Sequence, residues 1–460
     1  MDVLLVSMNK EANPYPVSPL GLAYIATRLG KSGHNVTIID LCFSSDDKGL
    51  LKNVLEKTRP ELIGISIRNI DNLTYPKSIF YLPYIKETVD FIKSISPAPL
   101  IAGGSGFSLF PEQTLRYLNI EYGIIGEGED SMTFFADCLS GKSDFHNTPN
   151  LCYIKDNEFH MNKALRDETF HNAAHPDREL IDNQSYLKFG GMANIQSKRG
   201  CPFNCSYCTY PYLNGRQLRL RNPSGIVDEI EELKNKYNVN YVFFVDDIFN
   251  YPESHAMGIC DEMIRRNINI DWACFATPKG MSQELASMMK KAGCSGVEFG
   301  ADSGSETMLV SLNKSFSLED IGKAAEFCRK AGLPAAHYVI IGGPGENKKT
   351  LKETFSFFDS IRPDAVIALT GVRIYPNTTL SELSKQEGAV TPNANLLEPE
   401  FYISPDLGAD YMLTSVKEHA LSRQNWIVPG LDIRCSREMF TMLRQLGKRG
   451  PLWDLLAAKN

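Results

Sequence analysis

The chain turns on the stretch Cys201-Pro-Phe-Asn-Cys205-Ser-Tyr-Cys208, three cysteines in eight residues, separated by three and then two residues. An extended run at 193–198 and a turn at Arg199-Gly200 lead into it. Three thiolates on one short loop can converge on a single inorganic centre, and cysteine sulfur suits zinc or an iron–sulfur cluster. A structural zinc site asks for four protein ligands in a closed tetrahedron. No further pair of Cys or His at ligand spacing follows, and the next cysteine, Cys260, falls inside a predicted helix. Three ligands leave one position open for a small molecule, the arrangement of a catalytic centre.

Downstream of the loop's strand, strand and helix alternate six times between about 193 and 380. Strands are predicted at 193–198, 241–245, 271–276, 296–301, 335–341 and 365–374, with helices at 224–237, 254–266, 282–292, 318–331 and 348–361. Six such units are too few to close an eightfold barrel. Reactive groups of βα barrels sit at the carboxyl ends of strands, and polar or glycine-rich segments recur there. Asp246-Asp247 follows the second strand, Asp302-Ser303-Gly304-Ser305 the fourth, and Gly342-Gly343-Pro344-Gly345-Glu346 the fifth; Arg373 lies on the sixth. Cys260, Cys274, Cys294 and Cys328 lie inside elements and read as core.

Before the cysteine loop, residues 1–140 alternate short apolar runs with amphipathic stretches, the pattern of a parallel sheet covered by helices. Five strands, at 3–7, 35–41, 62–67, 99–103 and 122–125, suggest a doubly wound, flavodoxin-like sheet whose ligands sit at the strands' carboxyl ends. Ser66, Arg68, Gly103, Gly104, Gly126 and Gly128 fall at those ends, and Leu20 opens the first helix. Residues 141–192 read as a linker holding a small β-hairpin, with a turn at Asp156-Asn157. His160, His171 and His175 there lack ligand spacing. The tail, 381–460, reads as a mostly helical cap with a proline-rich start.

Composition narrows the class. A formal charge of −7 gives no general attraction to nucleic acid or anionic membrane. Eleven cysteines, single apart from the loop, do not form a disulfide framework and fit a reducing compartment. No apolar run approaches the roughly 18 residues of a membrane span. The chain opens on a strand rather than a leader, and a cytoplasmic enzyme is expected.

The CxxxCx(aromatic)C loop resembles the signature of the radical S-adenosylmethionine (SAM) enzymes, and the six βα units resemble their partial (β/α)6 barrel. The resemblance implies that Cys201, Cys205 and Cys208 hold a [4Fe–4S] cluster whose fourth iron binds SAM. It further implies SAM contacts from Tyr207, Asp246, Asp302, Ser303, Gly342, Gly343, Glu346 and Arg373. The first segment, with Ser18-Pro-Leu-Gly21 and Gly126-Glu-Gly-Glu129, resembles the cobalamin-binding domain that precedes many of these barrels. Leu20, Ser66, Arg68, Gly103, Gly104, Gly126 and Gly128 are then the expected corrin contacts. One departure stands out: the loop 7–17 has no histidine, so the resemblance implies cobalamin bound without a histidine on cobalt. The implied activity is methylation of an unactivated carbon through a 5′-deoxyadenosyl radical, with methyl carried by cobalamin. The substrate would be a small molecule, lipid or natural product, and the electron donor a flavodoxin or ferredoxin.

Two other chemistries share this architecture: ring formation, rearrangement or transfer of another group, and methylthiolation. The latter calls for three cluster cysteines in the first domain, and Cys42, Cys138 and Cys152 are not placed as such a set. A binding module without turnover is the alternative outside enzymes.

Overall fold

The computed structural model describes residues 1–141, 143–166, 170 and 175–456; His171 lies outside them. The chain forms two compact units. Residues 1–12, 18–72 and 79–185 make the first, and residues 13–17, 73–78 and 186–460 the second.

The first unit is a seven-stranded sheet. Its strands are β1 (Asp2–Ser7), β2 (Asn35–Asp40), β3 (Leu62–Ser66), β4 (Leu100–Gly103), β5 (Tyr122–Ile124), β6 (Leu151–Lys155) and β7 (Glu158–Met161). The order is β2-β1-β3-β4-β5-β6-β7, parallel through β5, which is the flavodoxin-like winding. Helix Leu20–Lys31 lays Leu22, Ala26 and Leu29, spaced on one helical face, against Val3 and Leu5. It ends where the His34 amide reaches back to the Leu29 carbonyl. The hairpin read from sequence as part of a linker is β6–β7; β6 pairs antiparallel with β5 and extends this sheet.

The second unit carries strands β8 (Ala193–Ile195), β9 (Lys198–Arg199), β10 (Arg219–Leu220), β11 (Tyr241–Phe244), β12 (Asp271–Ala276), β13 (Cys294–Asp302), β14 (Ala335–Ile341), β15 (Ala365–Thr370), β16 (Val372–Arg373), β17 (Phe401–Tyr402) and β18 (Trp426–Ile427). Its main sheet runs β8-β11-β12-β13-β14-β15-β18, all parallel, in chain order, with β8 and β18 as its ends. This is a partial barrel. Side chains alternate along each strand: Val242, Phe244, Trp272, Cys274, Val297 and Phe299 pack outward in the helix layer. Tyr241, Phe243, Ala273 and Phe275 face the other way.

One expectation needs correction: the strand at 193–198 breaks after Ile195, because β9 turns aside to pair antiparallel with β10. The tail carries helices, as expected, and also Trp426–Ile427, which becomes the seventh strand, beside β15. A two-residue strand carries too little alternation to be read from sequence.

Candidate active site

The cysteine loop is fixed from both sides. Gly200 enters it at φ +96°, and a Cβ there would stand 2.2 Å from the Gln217 carbonyl oxygen, so only glycine fits. The Cys201 amide donates to the Gly215 carbonyl at 2.9 Å and the Cys208 amide to the Cys205 carbonyl at 3.2 Å. Ser206 N donates to Leu312 O at 3.0 Å, and Leu380 N to Ser206 O at 2.8 Å. Asn313 Nδ2 closes on Asn204 O at 2.7 Å. Burial pushes the thiol of Cys201 up to about 11 and that of Cys208 up to about 12, and raises Cys205 as well. Neutral thiols are therefore favoured unless a metal centre takes up the thiolate charge. Among the described residues no three His, Cys, Asp or Glu close on a single ion. A four-iron cube, bonded by each cysteine through a different iron, is the centre this donor set suits.

Behind the loop lies a charged group that sequence reading missed in part. Lys314 Nζ contacts Asp302 Oδ2 at 2.7 Å, the two side chains being 7% and 3% exposed. Tyr207 donates its phenol to the same oxygen. Burial opposes the charge on Lys314, yet Asp302 and Cys205 beside it hold its pKa above that of an ordinary lysine. Asp302 reaches this position through a bulge: the register with β14 shifts between Gly300 and Asp302, and Asp302 sits at φ +65°. Bulges re-aim side chains beside active sites. The structure thus brings Tyr207 and Asp302 together under Cys205, with a lysine whose place in the loop 312–317 carried no sequence signal.

The other expected SAM contacts divide. Asp246 is buried, and its carboxylate accepts from Ser197 N at 2.7 Å, Lys198 N at 3.1 Å and the Ser197 hydroxyl. It ties β11 to the β8–β9 turn and does not face the loop. Its neighbour Asp247 does: Asn214 Nδ2 donates to both carboxylate oxygens at 3.0 Å, and its charge is felt by Cys201 and Cys208. Burial pushes Asp247 up to about 6. Ser303 pairs its hydroxyl with Thr354 Oγ1 at 3.0 Å, and Glu346 folds back to accept from the Gly342 and Gly343 amides. Arg373 departs furthest from expectation. Its guanidinium donates to the carbonyls of Ile374, Leu396 and Leu397 at 2.6, 2.9 and 3.3 Å, and it is buried. It stitches strand to tail and is not placed as a carboxylate fork.

In the first unit the expected corrin contacts divide in the same way. Ser66, Arg68, Gly103 and Gly126 lie partly or fully exposed at the carboxyl ends of β3, β4 and β5. Gly103 leaves its Cβ position clear to 3.7 Å, an edge a flat ring can approach. Gly104 is different: at φ +100°, its Cβ would stand 2.6 Å from the Ile67 carbonyl oxygen, so it serves the close approach of two backbone segments. Leu20 is core, and Gly128 packs beside Ile25. In the loop after β1, Lys10 Nζ donates to Leu41 O at 2.6 Å and Ser44 O at 3.0 Å and pairs with Asp47 at 2.8 Å, while Tyr81 donates to Glu11.

Comparison with known proteins matches both units. The Radical SAM superfamily profile covers residues 195–358, and that of the B12 binding domain covers residues 12–135. The chain is a radical SAM enzyme with a B12-binding domain. Members of this family use a [4Fe–4S] cluster, SAM and cobalamin. The chain is 24% identical over 431 residues to the tryptophan 2-C-methyltransferase of Streptomyces laurentii, across 80% of this chain and 72% of that one. An uncharacterized methyltransferase of Pyrococcus horikoshii is 27% identical over 374 residues, across 79% and 78%. The structure of the radical SAM methyltransferase TsrM from Kitasatospora setae, with cobalamin and [4Fe–4S] cluster bound, superposes with a TM-score of 0.88 at 23% identity, over 99% of this chain and 97% of that one. The fold is shared along the whole length. No helix among the described residues is long and apolar enough to cross a membrane.

Proposed function

We propose that this radical SAM enzyme is a cobalamin-dependent methyltransferase that places a methyl group on a carbon atom of a small molecule. The observation that carries the reading is the pairing, in one chain, of a three-cysteine loop backed by Lys314, Asp302 and Tyr207 with a B12-binding sheet. Matches to methyltransferases over about four-fifths of the chain support it. The cluster, SAM and cobalamin would supply electron transfer, the adenosyl radical and methyl carriage when bound. The chain's own part is to hold and shield them. Cys201, Cys205 and Cys208 would ligate the cluster, and Lys314 would offset part of its negative charge. Asp302 and Tyr207 would position SAM at the strand end, with Asp247 taking the place expected of Asp246. Ser66, Arg68, Gly103 and Gly126 would flank the corrin edge, with no histidine from loop 7–17 on cobalt. A flavodoxin- or ferredoxin-type donor and a reducing, cytoplasmic setting complete the reading.

The test is anaerobic incubation of the reconstituted protein with SAM, reductant and cobalamin, followed by mass spectrometry of the SAM products. Formation of S-adenosylhomocysteine that depends on added cobalamin is expected. 5′-Deoxyadenosine alone, indifferent to cobalamin, would favour ring formation or rearrangement; the cyclase of Rubrivivax gelatinosus that acts on magnesium-protoporphyrin IX monomethyl ester is 22% identical over 367 residues. Absence of both products would refute turnover of SAM.

A further inference from the structure

The outer side of the cysteine loop is surface. Between its first two cysteines Pro202 and Asn204 are exposed and Phe203 is half-buried, while Lys314, Asp302 and Tyr207 form the charged group behind it. One thickness of backbone therefore stands between two of the cluster's expected ligands and solvent. The flanks of this stretch are fixed. Arg216 donates from Nη2 to Asn204 Oδ1 at 2.7 Å and from Nη1 to Phe203 O at 3.5 Å. On the opposite flank, Asn313 Nδ2 donates to Asn204 O at 2.7 Å and the Asn313 amide to Val310 O at 2.9 Å. The Phe203 and Tyr251 rings lie with centroids 5.1 Å apart, and a Cβ on Gly280 would stand 3.9 Å from the Tyr251 ring. Lys279 and Gly280 thus border the loop on that side.

Three side chains of this rim are not used by the fold. Val310, on the short helix Glu306–Ser311, is 77% exposed, the most open large apolar side chain among the described residues. Arg216 is exposed and its guanidinium reaches only loop oxygens, and Lys279 is exposed; neither has an acidic partner among the described residues. The acids that border the rim are engaged with donors of the protein: Glu253 accepts the Ser282 hydroxyl, and Glu306 the Leu318 amide at 2.8 Å. A chain of formal charge −7 repels acidic proteins over most of its surface, so two uncommitted cations set around Phe203 and Val310 make this face an exception. An apolar centre with a polar, charged rim is the anatomy of a protein docking surface.

We propose that this outer face of the cysteine loop is the docking surface for the electron donor, an acidic flavoprotein carrier that sets the apolar edge of its reduced flavin against Phe203 and Val310 while its carboxylates meet Arg216 and Lys279. A folded protein cannot enter the barrel, so it must deliver its electron from outside, and here the loop is the only wall. One electron leaves the fully reduced flavin, which is oxidised by that electron, and the cluster is reduced by it; no bond or proton changes hands. Opposite charges on the two rims raise the encounter rate and fix the orientation of docking. This inference rests on the reading above that a protein donor serves the cluster, and it names the surface and the charge that select that donor.

The experiment is anaerobic stopped-flow reduction of the cluster-loaded full-length protein, read as bleaching of its visible absorbance, without SAM or cobalamin. Fully reduced flavodoxin is the protein donor, and reduced methyl viologen, a small cation that needs no docking, is the control donor. Wild type, Arg216→Glu, Lys279→Glu, the double variant and Lys323→Glu are compared; Lys323 pairs with Glu319 on helix Leu318–Lys330 and makes the same charge change elsewhere. With flavodoxin, the wild-type rate should fall as salt is added. At low salt each single reversal at the rim should slow reduction by roughly threefold and the double by about tenfold or more. Lys323→Glu should match wild type, and methyl viologen should reduce every variant at the wild-type rate. The proposal is overturned if the double variant accepts electrons from flavodoxin as fast as wild type, or if Lys323→Glu slows as much. It is also overturned if the wild-type rate ignores salt, or if methyl viologen slows in parallel, which would mark a damaged cluster in place of a lost dock. Reduced ferredoxin outpacing flavodoxin on wild type would overturn the flavoprotein as the occupant. Should Arg216→Glu fail to take up iron, Lys279→Glu, outside the loop, decides alone. Failure of the methyltransferase reading looks different: wild type would make no cobalamin-dependent S-adenosylhomocysteine, whatever the reduction rates.

Discussion

Replacing Lys314 by Met removes the cation that faces Asp302 while keeping most of the side chain's length. At 2.7 Å, and with an effective dielectric constant of about 20, the pair attracts by roughly 6 kcal/mol before desolvation is counted. Much of that offsets the cost of burying both charges, as their 7% and 3% exposure requires. Removing one partner leaves the other buried and uncompensated, which costs about 3–5 kcal/mol. Asp302 would keep only the Tyr207 phenol. The double variant Lys314→Met/Asp302→Asn has no orphan charge and should recover about 2 kcal/mol or more of that loss. The assay is urea unfolding of the anaerobic holoprotein followed by tryptophan fluorescence. All three tryptophans, Trp272, Trp426 and Trp453, are buried in the second unit, so the signal reports that unit. Lys314→Met unfolding within about 1 kcal/mol of wild type would refute the reasoning, as would a double variant no more stable than the single.

Gly104→Ala should unfold the first unit, because its Cβ meets the Ile67 backbone, whereas Gly103→Leu should fold and weaken cobalamin binding in an absorbance titration; the reverse pattern would misplace the corrin edge. Arg373→Ala should lower the thermal midpoint by leaving three buried carbonyls unpaired, while SAM affinity of the folded protein stays unchanged; a selective loss of SAM binding would restore the carboxylate fork. Glu298 and Glu346 are each held up to about 7 by burial, against 4.5 for an ordinary glutamate. Their folded pKa values exceed the unfolded ones, so the stability they confer is full below about pH 4.5 and is lost as pH rises through 7, by up to about 3 kcal/mol each. Glu346→Gln keeps acceptors for the Gly342 and Gly343 amides and should flatten that decline; an unfolding free energy that rises over the same window would contradict the assignment.

The sheets were legible because their strands are long enough to show a pattern. The βα alternation at 1–140 and 193–380 predicts the flavodoxin-like winding and the partial barrel, and the cysteine spacing points to the metal centre. What escaped has physical reasons. Trp426–Ile427 is a strand only because β15 offers it a partner. Lys314 sits in a short connection with no periodicity, and its partnership with Asp302 depends on a bulge. Asp246 and Asp247 are adjacent in sequence, but only the fold decides which of them turns toward the thiols. Arg373 looks like a ligand fork in sequence, since nothing there shows that Leu396 and Leu397 return to take its hydrogens.

The most direct measurement of the central claim is iron and cobalamin content per chain after anaerobic reconstitution, for wild type and for the variant with Cys201, Cys205 and Cys208 all changed to Ala. Wild type should hold about four irons and bind cobalamin, and its cob(II) form should show no strong nitrogen superhyperfine splitting in electron paramagnetic resonance. The triple variant should lose the iron and the brown colour while still binding cobalamin, since the proposed corrin contacts Ser66, Arg68, Gly103 and Gly126 belong to the first unit. A triple variant that retained its iron–sulfur spectrum, or a wild type that held iron but no cobalamin, would contradict the account.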